Sequence, residues 1–264
     1  MRAHKPSPVG MIDLHSHILP MIDDGAQSPR EALEMAQLAW KDGITQIVAT
    51  PHDTGWGGGW QSTTEAVQTL QEEIDHHKIA LQVLPGLEIR IDLDTPQKAR
   101  EGHLLALNGS RYLLIELPFT HYPPYTDHVI LELQVAGFVP ILAHPERYSY
   151  LKARPMRLSA LVERGVLVQV TTSSILGEFG ASVRDFSRFL LEHKLAHVIA
   201  SDAHGATVRP PILSQAVEIA SRWIGEQQAT AMVTSVPEAI VNDQPWQPES
   251  PVEPKPEHRW FRTR

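Results

Sequence analysis

His15-Ser16-His17 closes the apolar run Met11-Ile12-Asp13-Leu14 and sets two imidazoles at i and i+2. On an extended strand such a pair faces one side and can grip a single metal ion. The device returns near the other end as Asp202-Ala203-His204 after Val198-Ile199-Ala200, and between them His52, Glu88, Glu116 and His144 each stand at or just past an apolar run. Asp24, in Met21-Ile22-Asp23-Asp24-Gly25, is a further candidate ligand, with Asp23 as the alternative residue that caps or buttresses that turn. A lone histidine after a strand is more often a surface or hydrogen-bonded residue. A whole set of ionisable groups at successive strand ends is different, because burying them without cations leaves charge that costs roughly several kcal/mol per ion.

These candidates exceed what one ion needs. At about 4–6 ligands per ion, with carboxylates bridging, they suit two or three divalent ions, and nitrogen and oxygen donors without thiolate suit manganese, iron or zinc. Glu88, between Gly86 and Arg90, is the expected bridging carboxylate. Two ions about 3.5–4 Å apart hold a hydroxide between them and clamp an oxyanion, the arrangement used for in-line phosphoester displacement. Arg147, in His144-Pro145-Glu146-Arg147, and Arg209, in His204-Gly205-Ala206-Thr207-Val208-Arg209, sit on loops that already carry ligands, and a guanidinium fork fits phosphate oxygens. A surface salt bridge is the alternative for each arginine. The expected reaction is attack of a metal-bound hydroxide on phosphorus, with Arg147 and Arg209 stabilising the growing charge. Asp202 and His204 serve first as ligands and also stand near enough to be considered proton donors.

The elements that must position these groups are readable from periodicity. Apolar runs of strand length recur at about 11–15, 45–50, 81–87, 112–116, 139–143, 166–170 and 197–201, separated by segments of helical spacing, which predicts parallel strands with crossover helices. Ser28-Pro29-Arg30-Glu31 supplies a helix start and Gly43 its stop; Ser62-Thr63-Thr64-Glu65 repeats the capping box before a helix to about His77. Further helices are expected near 126–136, 156–164, 182–194 and 211–224, whereas Ile91 to Ser110 shows no clear long helix. The length of 264 residues matches the roughly 250 of one closed α/β barrel. We therefore expect a distorted (β/α)7 TIM-like barrel over 11–242, with every candidate ligand at the carboxyl-end mouth. Residues 1–10 read as a loose arm. Residues 243–264, with Pro245, Pro248, Pro251 and Pro254 at intervals of three, read as a disordered tail, with a docking segment for a partner as the alternative.

Composition narrows the function. With Asp+Glu 31 against Lys+Arg 23 and a formal charge of -8, non-specific nucleic-acid binding is not expected, and neither is a nuclease groove. The absence of cysteine excludes disulfides, zinc-thiolate sites, iron–sulfur clusters and any thiolate nucleophile. No run reaches the length of a membrane span and the opening residues carry no apolar signal core, so a soluble cytoplasmic protein is expected.

The motif series Met11 to Pro20, Ile22-Asp23-Asp24-Gly25, Ala49-Thr50-Pro51-His52, Pro85-Gly86-Leu87-Glu88-Ile89-Arg90, Leu114-Ile115-Glu116-Leu117-Pro118, Ala143-His144-Pro145-Glu146-Arg147 and Ser201-Asp202-Ala203-His204 resembles the polymerase-and-histidinol-phosphatase (PHP) family. More narrowly, it resembles the bacterial PHP-type protein-tyrosine phosphatases of the CpsB/CapC and YwqE kind, from about residue 11 to 240. The resemblance implies the PHP version of the barrel, a three-metal centre often manganese-dependent, and hydrolysis of phosphotyrosine on bacterial tyrosine kinases that control capsule or exopolysaccharide synthesis. It implies His15, His17, Asp24, His52, Glu88, Glu116, His144, Asp202 and His204 as metal ligands, with Arg147 and Arg209 holding phosphate. This chain departs from the pattern at Asp53, where the family carries a second histidine, and in Gly55-Trp56-Gly57-Gly58-Gly59-Trp60. An aromatic substrate asks for an apolar rim, for which Trp56, Trp60, Tyr122 and Tyr125 are candidates; core packing or a contact between copies of the chain accounts for each equally well. A small-molecule phosphatase, such as one for histidinol phosphate, and a catalytically silent kinase-binding regulator are the competing functions.

Overall fold

The computed structural model describes residues 10–53 and 60–252. Strands β1 (Met11–Ser16), β2 (Ile44–Ala49) and β3 (Gln82–Pro85) form one parallel sheet, and β4 (Glu88–Arg90), β5 (Tyr112–Glu116), β6 (Val139–Ala143), β7 (Leu167–Thr171) and β8 (Val198–Ala200) a second, each in sequence order. The run expected over 81–87 yields β3, and just past its end β4 starts at Glu88 in the other sheet. The break falls at Gly86, where a Cβ would lie 2.9 Å from Val48 Cγ1 and 3.0 Å from Leu107 Cδ2. The chain squeezes there between β2 and the 3-10 turn Leu107–Gly109, so a side chain at this position would force Val48 or Leu107 to shift.

The two sheets touch through isolated parallel bridges, Ser16 to Ala203 and His52 to Glu88. Among the described residues no continuous ladder closes the ring, so what the strands show is an α/β fold of two parallel sheets joined near their carboxyl ends. Hydrogen bonding at the opposite end gives the reason. The Ile12 and Ile199 N–H groups donate to the carbonyls of Val233 (2.8 Å) and Met232 (3.2 Å). The link between α10 (Glu226–Ala231) and α11 (Ser235–Val241) thus takes the edge positions that β1 and β8 would offer each other.

Apolar side chains divide into two layers. The outer one packs Met35 of α1 (Pro29–Asp42), Leu133 of α4 (Thr126–Val135), Leu161 of α6 (Pro155–Glu163) and Phe186 of α8 (Ala181–Glu192) on the backs of the strands. The inner one joins Ile12, Leu14, Val48, Leu114, Ile141 and Val198, and Val236 and Ile240 of α11 plug it at the amino end. Consecutive strand residues face opposite ways, so Leu14 inside would put His15 outside. The β1–β2 register slips by one residue between Asp13 and Ser16, an irregularity of the bulge type, and this slip turns His15 and His17 inward as well.

The helices follow the predicted spacing with local shifts. Ser28 Oγ accepts from Glu31 N (3.2 Å) at the start of α1. Helix α2 (Trp60–His76) begins before Ser62, so the expected capping box lies inside it. Helix α9 (Ser214–Ile224) starts after Pro210 and Pro211 rather than at 211, and its cap comes from another element: Asp42 Oδ2 accepts from Leu213 N (2.7 Å) and Ser214 N (3.0 Å). Short helices α3 (Thr95–Arg100), α5 (Ser149–Ala153) and α7 (Thr172–Leu176) fill connections that carry too few residues for a periodic signal.

The reading of a disordered tail does not hold for its first ten residues. Arg111 Nε pairs with Asp243 Oδ1 (2.8 Å), the Tyr112 hydroxyl donates to Gln244 O (2.7 Å) and accepts from Trp246 N (3.1 Å), and Val252 N donates to His193 O (3.0 Å). Trp246 packs edge-on against His197, with ring centroids 5.8 Å apart. Residues 1–9 and 253–264 lie outside the described residues. No helix among the described residues is long and apolar enough to cross a membrane.

Candidate metal centre

All nine residues expected as ligands come together at the carboxyl ends of the strands. Their donor atoms form four overlapping groups: His17, Asp24, His52 and His204; His15, Glu88 and His144; His15, His17 and Asp202; His52, Glu88 and Glu116. Within each group the atoms lie within 4.8 Å of one another. Glu88 is the shared carboxylate: Oε2 lies 3.5 Å from His15 Nε2, 3.4 Å from His17 Nε2 and 3.1 Å from His52 Nδ1, and Oε1 2.8 Å from His144 Nε2. Asp202 Oδ1 faces His15 and His17 at 3.4 and 3.5 Å.

The surrounding residues settle which ring nitrogen points into the cage. The Nδ1–H of His17 donates to Asp23 Oδ2 at 2.6 Å, and that of His15 to Gln169 Oε1 at 3.0 Å. Both Nε2 lone pairs then converge, 3.3 Å apart and fully buried. Two lone pairs at that distance repel unless a cation lies between or beside them, so the donor set fits divalent ions, and the partners of Nδ1 supply the orientation that metal-bound histidines need. His204 behaves alike, donating through Nδ1 to the Asp202 carbonyl (2.8 Å) and turning Nε2 to Asp24 Oδ1 (3.4 Å).

Titration points the same way. Burial penalises charge on His52, yet the Asp24 and Glu88 carboxylates outweigh it and push its pKa up to about 10. Burial together with the Glu88 charge holds Glu116 above the ordinary carboxylate range. Burial opposes the Asp202 charge, but the imidazoles of His15 and His17 hold its pKa well below the usual carboxylate range. Crowded acids and imidazoles with displaced pKa values in both directions are what a cation would relieve.

The backbone is bent to present these groups. His144 (φ 34°), Asp202 (φ 52°) and Arg209 (φ 50°) occupy the left-handed region despite carrying side chains, a strain that packing must hold in place. Gly25 lets the Asp23-Asp24 loop fold onto His17, since a Cβ there would lie 2.0 Å from the His17 carbonyl oxygen. Glu146, fully buried, accepts from Thr171 N (3.0 Å) and Thr171 Oγ1 (2.8 Å) and ties the 3-10 turn Pro145–Arg147 to β7.

Both expected arginines reach the centre through one atom. Arg147 Nη1 and Arg209 Nη1 donate to Asp202 Oδ2 at 2.9 and 3.1 Å. Asp202 therefore faces the cage with one oxygen and fixes two guanidinium groups with the other.

The expected aromatic rim is placed differently. Tyr122 donates to Asp127 Oδ2 (3.2 Å) and meets Tyr150 edge-on, and Tyr125 precedes α4 and packs on the outer core. Trp56 and the side chain of Trp60 lie outside the described residues. Tyr148 meets His144 edge-on at 5.7 Å, and two further rings at the centre are Phe119, stacked on His144 with centroids 5.6 Å apart, and Phe179, 4.7 Å from the Arg147 guanidinium carbon. As lone aromatics in loops they carried no sequence signal. Gln169, a buried amide between Val168 and Val170 in β7, did carry one and was missed; so was Asp13, whose carboxylate accepts from Ser201 N (2.9 Å) and Ser201 Oγ (2.5 Å). Asp53, at the departure from the family pattern, accepts from Arg90 N (3.1 Å) and braces β4 from outside the cage.

Residues 11–242 match the family model for capsular polysaccharide synthesis proteins CpsB/CapC. The chain is 38% identical over 236 residues to the tyrosine-protein phosphatase YwqE of Bacillus subtilis, covering 89% of this chain and 92% of that one. It is 31% identical over 245 residues to the tyrosine-protein phosphatase CpsB of Streptococcus pneumoniae, covering 89% and 99%. A crystal structure from work on YwqE of B. subtilis and CpsB of S. pneumoniae, described as metal-dependent tyrosine phosphatases, superposes with TM-score 0.89 at 37% identity, covering 93% of this chain and 100% of that one. Fold and site define a metal-centre hydrolase on parallel α/β sheets. Within that class, this chain belongs to the CpsB/CapC family.

Proposed function

We propose that this protein is a metal-dependent protein-tyrosine phosphatase that acts in the regulation of capsule synthesis. The observation that carries the reading is the nine-residue nitrogen and oxygen cage with two arginines anchored on its Asp202. Homology to proteins named as tyrosine phosphatases favours it over a small-molecule phosphatase or a silent regulator.

His15, His17, Asp24, His52, Glu88, Glu116, His144, Asp202 and His204 would hold two or three divalent ions, with manganese our first choice and iron or zinc also suited to these donors. Such ions supply Lewis acidity at phosphorus and an activated water. The chain's own contribution is to orient the phosphoryl group. Arg147 and Arg209, held by Asp202 Oδ2, present guanidinium N–H groups on one side of the cage, where they meet the equatorial oxygens and stabilise charge as it builds. Asp202 Oδ2 already accepts from both arginines, so its first role is to anchor them. A tyrosyl oxygen, with a pKa of about 10 as the free phenol, departs with little help from an acid, which suits an aryl phosphate better than an alkyl one. The substrate we favour is a phosphotyrosine-bearing segment of a bacterial tyrosine kinase, met in the cytoplasm.

Metal analysis of the purified protein, with chelation and manganese add-back in a phosphotyrosyl-peptide assay, tests the reading. Turnover is expected to vanish on chelation and to return with manganese. Turnover that survives complete removal of metal would overturn it.

A further inference from the structure

Phe119 is 44% exposed and lies beside a buried charged cage. It follows β5 by three residues, so the strand that ends in Glu116 also delivers this ring to the mouth. One contact is with His144, nearly parallel at 14° and 5.6 Å between centroids; a second is with fully buried Tyr148, edge-on at 5.2 Å. A third is with Arg147, whose guanidinium carbon lies 4.8 Å from the Phe119 centroid and 4.7 Å from that of Phe179. The ring is thus fixed by a ligand histidine, a core tyrosine and a phosphate-facing arginine, and part of it remains open to solvent.

Arg147 already has a carboxylate partner in Asp202, so holding the guanidinium in place does not require leaving a phenyl ring open. The open part has a use if the substrate brings a ring of its own, because two aromatic groups gain from offset or edge contact beyond simple burial. Resting on the phosphatase reading above, we propose that Phe119 is the specificity-determining residue for the aryl group, receiving the phenyl ring of phosphotyrosine while the phosphate meets Arg147 and Arg209. An alkyl phosphate such as phosphoserine would leave this contact unmade. Tyr122, expected in this role from sequence, is separated from Phe119 by Tyr148 and Tyr150, stacked at 5.4 Å, and faces Arg157 instead.

Non-hydrolysable phosphonates test this without relying on turnover. Calorimetric titration of the manganese-loaded full chain with benzylphosphonate and with ethylphosphonate compares a ligand that has the ring with one that lacks it. Phe119→Ala is expected to weaken benzylphosphonate about 10-fold and to leave ethylphosphonate within about 2-fold, and Phe119→Tyr to restore the difference. Phe119→Leu, which keeps apolar bulk, guards against loss of fold and is expected to fall between them. Equal weakening of both ligands, or no change in either, would overturn the proposal. Wild-type turnover of a phosphotyrosyl peptide, measured on the same preparation, reports on the phosphatase reading separately.

Discussion

The two ends of the strands both bury imidazole, in opposite electrical surroundings. At the carboxyl ends His52 sits against Asp24 and Glu88, and although burial works against its charge, those carboxylates push its pKa up to about 10. At the amino end of β8, burial dominates His197 and, against a backbone hydrogen bond at Lys194, drives its pKa down to about 4. There Nδ1 accepts from Val168 N (3.0 Å), and Trp246 covers the ring. The same side chain is thus a candidate ligand at one end and a neutral packing group at the other. Burial does not separate the two roles; the carboxylates around the ring do.

That contrast is broken most sharply at Asp202. Its removal takes away one expected ligand and the anchor of both arginines, so Asp202→Ala is expected to lower phosphotyrosyl-peptide turnover by about a thousand-fold or more while the circular dichroism of the chain is unchanged. A variant that keeps even a tenth of the activity would show that the mouth is not where the reaction happens.

The opposite end makes a prediction about stability rather than activity. With His197 at about 4 in the fold against an ordinary 6.5, the unfolded chain takes up a proton first, so this residue's contribution is intact above pH 6.5 and is lost as the pH falls toward 4. By pH 4 the loss is about 3 kcal/mol. Denaturant unfolding of wild type and of His197→Gln, each followed from pH 7 to 4, isolates it; the gap between the two is expected to narrow by this amount, and parallel curves would refute the assignment.

A smaller effect sharpens the comparison at the mouth. Asp23 orients His17 through Nδ1 and stands outside the cage, so Asp23→Asn is expected to cost about 10- to 100-fold in metal affinity, read by titration of the apoprotein. An unchanged affinity would make Asp23 a turn residue and nothing more.

How much of this could be read beforehand depended on where the signal was stored. Each expected ligand is a polar residue at the end of an apolar run, and a parallel α/β arrangement sends all such ends to one side; sequence order alone therefore implied that His15, Glu88, His144 and Asp202 would meet. The choice between Asp23 and Asp24 was not available, because it turns on the path of a loop that Gly25 allows to fold onto His17. That β4 would leave β3 and pair with β5 was not readable either, since it depends on a pairing between distant segments and on a turn at Gly86 crowded by Val48 and Leu107. The docking of 243–252 was hidden for a similar reason: a polar, proline-spaced segment shows no apolar face, and its hold comes from hydrogen bonds to Tyr112 and the seat of Trp246 on His197.

By itself, the sequence determined the class of chemistry: donors of nitrogen and oxygen, no thiol, and a strand-end address for each, because local periodicity decides which residues end a strand and which face it. Only the tertiary structure decided the finer matters, namely the one-residue slip that turns both His15 and His17 inward, the sharing of Asp202 between the cage and two arginines, and the seat of Phe119 between His144 and Arg147. These are relations between segments far apart in the chain, set by packing at distances of a few ångströms, and no local pattern encodes them.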